Sequence, residues 1–140
     1  MILGFKTKFP NGTPTEFIEK IMNCSKKHTI RTDASNRWKK DREIQFATGV
    51  RTKNYVHHLS GLCTGTQKIV ITHRTGWAGV FIDNKPFGEI LHHGLDDIYE
   101  YHDCLLTLAK NDGFDSIESF FKWFNKGYKG KIIHWTDFRY

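Results

Sequence analysis

Cysteine and proline are both scarce in this chain of 140 residues: there are three of each. Cys24, Cys63 and Cys104 are odd in number, widely spaced and form no CxxC pair. That excludes a disulfide frame and a zinc knuckle, and points to reduced thiols in a cytoplasmic protein. No apolar run approaches the roughly 18 residues of a membrane span. The opening Met1-Ile2-Leu3-Gly4-Phe5-Lys6 lacks the apolar core of a signal peptide, so no membrane partner is expected. Internal repeats, low-complexity stretches and linkers are also missing. One domain spanning 1–140 is the expectation, long enough for a real core and too short for two ordinary ones.

Aromatic residues, by contrast, are plentiful: 11 Phe, 5 Tyr and 4 Trp. Charge is plentiful but lopsided. Residues 1–60 carry 12 Lys/Arg against 5 Asp/Glu, and residues 61–140 carry 9 against 10. The whole net charge of +6 therefore comes from the first half, chiefly between Lys26 and Lys53. A one-sided basic surface attracts phosphate and speeds encounter with polyanions. A plain solvated face accounts for charge alone. Trp38 and Tyr55, interleaved with the arginines, tip the reading to nucleic acid, because stacking and phosphate contacts act together.

The densest cluster is Lys26-Lys27-His28-Thr29-Ile30-Arg31. In an extended run Lys27, Thr29 and Arg31 share one face, and a bend ahead of the strand brings Lys26 beside Thr29. Two chemistries suit such a cluster. One is a polyanion site in which Lys27, Arg31, Arg37, Lys39, Arg51 and Lys53 meet phosphates while Trp38 or Tyr55 stacks on an unpaired base. The other is activation of a hydroxyl, since threonine is a weak nucleophile until a base takes its proton. A lysine does this only when burial or neighbouring cations pull its pKa down from about 10.4.

The pattern along the chain is α+β. Leu3 and Phe5 open a short strand. Thr13-Pro14-Thr15-Glu16 reads as a helix start, with Thr13 as N-cap, Pro14 at the first helical position and Glu16 closing a capping box. That helix ends near Asn23-Cys24-Ser25 and feeds a strand over His28–Thr32. Arg37–Asp41 turns the chain into strand Glu43–Thr48, followed by the basic loop Arg51–Tyr55. Gln67–His73 and Gly79–Ile82 are further strands, joined through Asp83-Asn84. From about Asp96 to Lys110 a helix is expected, with Leu105, Leu106, Leu108 and Ala109 apolar. Asp112-Gly113 stops it. Another helix opens at Asp115, and its Ile117, Phe120, Phe121 and Phe124 recur at helical spacing as core. Lys131–Trp135 is the last strand. Five or six short strands with three inserted helices favour a small closed barrel.

The ordered set Lys26-x-x-Thr29-Ile30-Arg31, Arg37-Trp38-Lys39-x-Asp41, Ala109-x-x-Asp112-Gly113-Phe114 and the aromatic helix after it resembles the ASCH domain family. The similarity runs from Phe5 to His134-Trp135-Thr136-Asp137, and is nearest to small stand-alone bacterial and phage members that carry the Gly49–Lys53 stretch. The resemblance implies a PUA-like β-barrel and an RNA-binding or modified-nucleoside-binding module with no cofactor. It also implies an alternative. One subgroup consists of amidohydrolases that deacetylate N4-acetylcytidine through a Lys, a Thr three residues on and a carboxylate. By motif these fall on Lys26, Thr29 and Asp112. The subgroup's carboxylate is Glu, one methylene longer than Asp112. Ribonuclease activity is a third implication. Pro86–Leu108 departs from the pattern as a long insertion.

Eight histidines raise the question of metal, with His92, His93, His102, Asp96 and Asp103 the nearest thing to a ligand set. No HExxH or Cys/His spacing supports it, so no metal is expected.

Overall fold

Strand pairing builds most of the molecule, with continuously buried stretches beside alternating ones. The computed structural model describes residues 1–93 and 96–140, with all their side chains except those of His93, Asp96 and Asp97. In chain order the elements are β1 (Ile2–Phe5), α1 (Phe17–Met22), β2 (His28–Arg31), β3 (Glu43–Thr48), β4 (Val56–Leu62), β5 (Gly65–Arg74), β6 (Trp77–Ile82), β7 (Lys85–His93), β8 (Asp96–Glu100), α2 (His102–Asn111), α3 (Ile117–Trp123) and β9 (Tyr128–His134). This is an α+β fold, mostly strands, with three helices.

The strands form two sheets. In the smaller, β1 runs parallel to β3, and β4 lies antiparallel on the other side of β3. The larger has the order β2-β9-β5-β6-β7-β8 and is antiparallel throughout. Each has two edge strands among the described residues, so the expected closed barrel is replaced by two open sheets. Among the described residues there are nine strands rather than five or six. Val56–Leu62 escaped the sequence reading because β4 is an exposed edge strand, so Val-His-His-Leu-Ser-Gly-Leu shows no buried face to betray it.

Two helix expectations are corrected. α1 begins at Phe17, not near Pro14, and Glu16 precedes it in a left-handed conformation without capping. Asn11-Gly12 makes a tight turn instead: Phe9 N donates to Thr13 O at 2.8 Å, and Thr13 Oγ1 donates to Asn11 Oδ1 at 2.7 Å. Turn chemistry there overrides a capping pattern. The helix expected from Asp96 is a strand as far as Glu100, pairing with β7, and α2 starts only at His102. Residues 94 and 95, within the Pro86–Leu108 insertion, lie outside the described residues. α2 packs on β7 closely because Gly88 has no side chain; a Cβ there would sit 2.7 Å from Leu105 Cγ.

The aromatic stripe behaves as expected. Ile117, Phe120, Phe121 and Phe124 are all buried. The helix opens at Ser116 rather than Asp115: Ser119 N donates to Ser116 Oγ at 3.1 Å, and Ser116 N donates to Ser119 Oγ at 3.2 Å. Rings of Phe9, Phe17, Phe114 and Trp123 meet mostly edge to face, with centroids 5.6–6.0 Å apart. Each such side chain contributes about 1.5–3 kcal/mol on burial. This cluster forms one wall of the site. No described helix is long and apolar enough to cross a membrane.

Candidate functional site

β2 lies at one edge of the larger sheet, paired to β9 with Thr29 opposite Ile133 and Arg31 opposite Lys131. Thr29 and Arg31 therefore project to one side, as alternation requires. The chain reaches β2 through a bend anchored at two points. Lys26 N donates to Lys20 O at 2.9 Å, and Lys27 N donates to Asn111 O at 2.8 Å. That bend swings Lys26 inward. From the far end of the sequence, α2 stops at Asp112, and Gly113 follows with φ +92°. Only glycine fits there: a Cβ would lie 2.8 Å from Phe17 Cδ1 and 2.9 Å from Lys26 Cδ.

Lys26 and Asp112 are in direct contact, and Thr29 shares their enclosure. All three are buried, and they line one cavity of about 60 Å³ together with Lys6, Arg31 and the Phe17 and Trp123 rings. Lys26 Nζ donates to Asp112 Oδ1 at 3.1 Å and to the Asp112 main-chain oxygen. Its ammonium also lies 4.8 Å from the Phe17 ring centre, 5.6 Å from that of Phe5 and 6.0 Å from that of Trp135. His28 Nδ1 approaches Asp112 Oδ1 at 3.5 Å from the other side. Asp112 lies off the end of β2, and so touches Lys26 and His28 together.

Electrostatics follow from this enclosure. Burial pulls the Lys26 pKa from 10.5 down to about 8, against the opposing pull of Asp112, with Arg31 and Lys20 adding to the fall. Burial alone would raise the Asp112 carboxyl, but the combined Lys26 charge and the His28 contact outweigh it and hold the group below its usual range. Asp112 is thus an anion and Lys26 a lysine poised to lose its proton. Burial likewise keeps His28 neutral, with its pKa lowered.

A second, open cleft of about 540 Å³ adjoins the small cavity, lined by Gly4, Lys6, Lys8, Arg31, Gly49 and Val50 among others. Lys6 and Arg31 line both spaces. Arg31 donates to Gly4 O at 2.6 Å and lies over Phe5 at 5.2 Å. Its Nε is buried with no hydrogen-bond partner among the described residues. The positive charge of Arg31, which lines both spaces, suits an oxygen of a ligand held there.

The remaining basic residues are spread more widely. Arg51, Lys53 and Tyr55 are exposed on the β3–β4 loop, which continues from the cleft wall at Gly49 and Val50. Arg37 and Lys39 are exposed on the β2–β3 turn. Lys27 is half-buried, with its ammonium 5.5 Å from the Phe138 ring centre, and lines neither cavity. Trp38 is a correction. It is 5% exposed and belongs to the core. Its backbone is tied down by Asp33 Oδ2, which accepts from Trp38 N at 3.0 Å, and by Lys131 Nζ, which donates to Trp38 O at 3.3 Å. Its ring is therefore not free to stack on a base.

Sequence reasoning missed Lys6, which no motif marks, and the rings around Lys26. Phe17 was legible only as a helix-core residue. His28 lies within the dense Lys26–Arg31 cluster, but strand alternation points it away from Thr29. Among the described residues, no three His, Cys, Asp or Glu side chains gather as a metal site; the side chains of His93 and Asp96 are not among those described.

No family model, no curated protein and no solved structure matches this chain. The site is accordingly read from its own geometry.

Proposed function

We propose that this chain is an ASCH-type domain that takes a nucleoside-like ligand in the basic cleft and hydrolyses an acyl amide on it, as a deacetylase of N4-acetylcytidine would. The observation that carries this reading is the meeting of a buried, pKa-lowered Lys26, Thr29 and Asp112 in one small cavity beside a cationic cleft. A phosphate-binding lysine has no need of burial, whereas a lysine base does. Size agrees. A cavity of about 60 Å³ equals roughly two waters, too little for a base ring but enough for an acetyl group. The ring and sugar would occupy the larger cleft, beside Lys6, Lys8 and Arg31. Relative to a PUA-like barrel, the sheets here are open.

The chemistry follows from the protonation states. Neutral Lys26, roughly a tenth of the population near pH 7, takes the Thr29 hydroxyl proton. Thr29 Oγ1 bonds to the acyl carbon, and the developing oxyanion is stabilised by the positive charge of Arg31 on the cavity wall. Lys26 then gives its proton to the leaving amine as the C–N bond breaks. A water repeats the cycle: Lys26 takes its proton, the hydroxide adds to the acyl-threonine, and Thr29 leaves with that proton. Asp112, being ionised, is not the acid. It holds Lys26 in place and balances its charge.

A second reading, RNA or nucleoside binding without catalysis, is favoured by the exposed Arg37, Lys39, Arg51, Lys53 and Tyr55 on the β2–β3 and β3–β4 connections. The deciding experiment incubates the purified chain with N4-acetylcytidine and follows cytidine by chromatography. Release of cytidine that disappears in Thr29→Ala and Lys26→Ala is expected. Release that survives both variants refutes the assigned chemistry. No release, with salt-sensitive RNA binding, leaves the binding reading alone.

A further inference from the structure

His28 is fully buried and belongs to a chain of contacts that the reaction above does not use. Its Nε2 lies 2.5 Å from Tyr140 Oη. Asn111 Nδ2 donates to that same hydroxyl oxygen at 3.2 Å. The residues packed around the imidazole are Asp112, Tyr140 and His134, whose ring centre lies 5.4 Å away, while the charges of Lys26 and Lys27 act on it from the bend.

The proton on the His28 ring can sit on either nitrogen, and its neighbours decide which. Among the described residues, the acceptor within reach of the Tyr140 hydroxyl proton is His28 Nε2. If Nε2 carried the ring proton, the hydroxyl proton would be stranded. At the same time a bare Nδ1 lone pair would face the Asp112 carboxylate at 3.5 Å. If Nδ1 carries it, both conflicts vanish: Tyr140 donates to Nε2, and Nδ1–H stands beside Asp112 Oδ1 at 3.5 Å, near it but short of a completed hydrogen bond.

We propose that His28 is a positioning residue for the site, its proton fixed on Nδ1 by Tyr140 and offered to Asp112. The role rests on the hydrolase reading. Lys26 must be neutral to act as base, and at that moment Asp112 becomes a buried anion without its cation. His28 Nδ1–H is the group that compensates it. The 3.5 Å contact, long for a hydrogen bond in the free protein, closes as Lys26 gives up its proton. No proton passes to or from His28.

Two measurements without any substrate test this. In the ¹⁵N-labelled protein, long-range ¹H–¹⁵N correlation at pH 7 should show a neutral His28 protonated on Nδ1. A ring protonated on Nε2 overturns the proposal. The Lys26 side-chain NMR titration gives the second readout. His28→Leu should raise the Lys26 midpoint above its value of about 8, because deprotonation now leaves Asp112 uncompensated. His28→Asn, whose amide N–H stands where Nδ1–H stood, should leave it nearly unchanged. An unmoved midpoint in His28→Leu overturns the role. With N4-acetylcytidine, Tyr140→Phe should lower kcat tenfold or more at unchanged KM; a change confined to KM overturns it. A protein inert on that compound but with Nδ1–H and the shifted midpoint would sink the hydrolase reading while leaving the positioning of Asp112 intact.

Discussion

Lys26 and Asp112, 86 residues apart in sequence, are joined by two hydrogen bonds from one ammonium, to the carboxylate and to the backbone oxygen of the same residue. Both side chains are almost without solvent, at 2% and 4% exposure. Such a pair is held together by what happens when it is broken rather than by its own net worth. Asp112→Ala should destabilise the protein by about 3–5 kcal/mol in denaturant unfolding, because it leaves a buried cation alone. The same change should drop the Lys26 pKa below about 8, since Asp112 is what holds it up. The double variant Lys26→Met with Asp112→Leu should be less destabilised than either single change.

Gly113 tests the geometry from the backbone side. Its φ of +92° disfavours any side chain, and a Cβ would press on Phe17 and on the Lys26 stem. Gly113→Ala should cost about 1–3 kcal/mol in unfolding free energy. It should also displace Lys26, so that activity falls by more than the loss of folded protein accounts for.

Activity and stability should respond to pH in separate windows. Deacetylation should rise with pH and level off above about 8, as Lys26 loses its proton. Lys26 binds its proton less tightly folded than unfolded. Between about 8 and 10.5 the unfolded chain therefore carries the extra proton, so Lys26 contributes a rise in stability with pH. Cys63 from about 9 and Tyr140 from about 10, both pushed up by burial, oppose it, and Lys26→Met should remove the rising part. His28 and His134 follow the same sign lower down. Both are lowered from 6.5 by burial, His134 to about 3, so the unfolded chain binds protons first as pH falls. Melting temperature should accordingly decline below pH 6.5, well before the carboxylates titrate. His134→Gln should flatten that decline.

The exposed basic loop makes a prediction about ligands. If RNA binds along the cleft, log affinity should fall linearly with log salt, and Arg51→Ala or Lys53→Ala should each reduce the slope by about 0.7–1. Tyr55→Ala should cost about 1–3 kcal/mol of binding by loss of stacking. Trp38→Phe should instead lower stability while leaving affinity nearly unaltered, because Trp38 is core.

Legibility tracked burial. The Ile117–Phe124 stripe was readable because a half-buried helix writes its period into the sequence. β5 was readable for the corresponding reason in strands, whereas β2, β3 and β6, buried on both faces for much of their length, were readable as short runs of apolar and β-branched residues. β4 carried no such signature, since both its faces are largely exposed. β8 ran into the α2 pattern, and only the left-handed Tyr101 at φ 59° separates strand from helix there. The site residues were accessible through motif order, but their burial was not. Nothing in Lys-x-x-Thr tells that Lys26 is walled in by Phe5, Phe17 and Trp135, which arrive from three separate segments. Trp38 shows the opposite failure: an aromatic among cations looks like a stacking platform until Asp33 and Lys131 pin its backbone over the core.

The antiparallel register of β2 against β9, Thr29 beside Ile133, has a further consequence. The hydroxyl stands on an edge strand whose pairing spans most of the polypeptide, and its neighbouring carboxylate arrives from a helix end formed late in the sequence. Ribosomal synthesis must release the residues through His134 before these groups can adjoin. Molecules cut short ahead of that point would thus lack the assembled cavity even with the basic loop already displayed, and any activity of the proposed kind would report on completed folding.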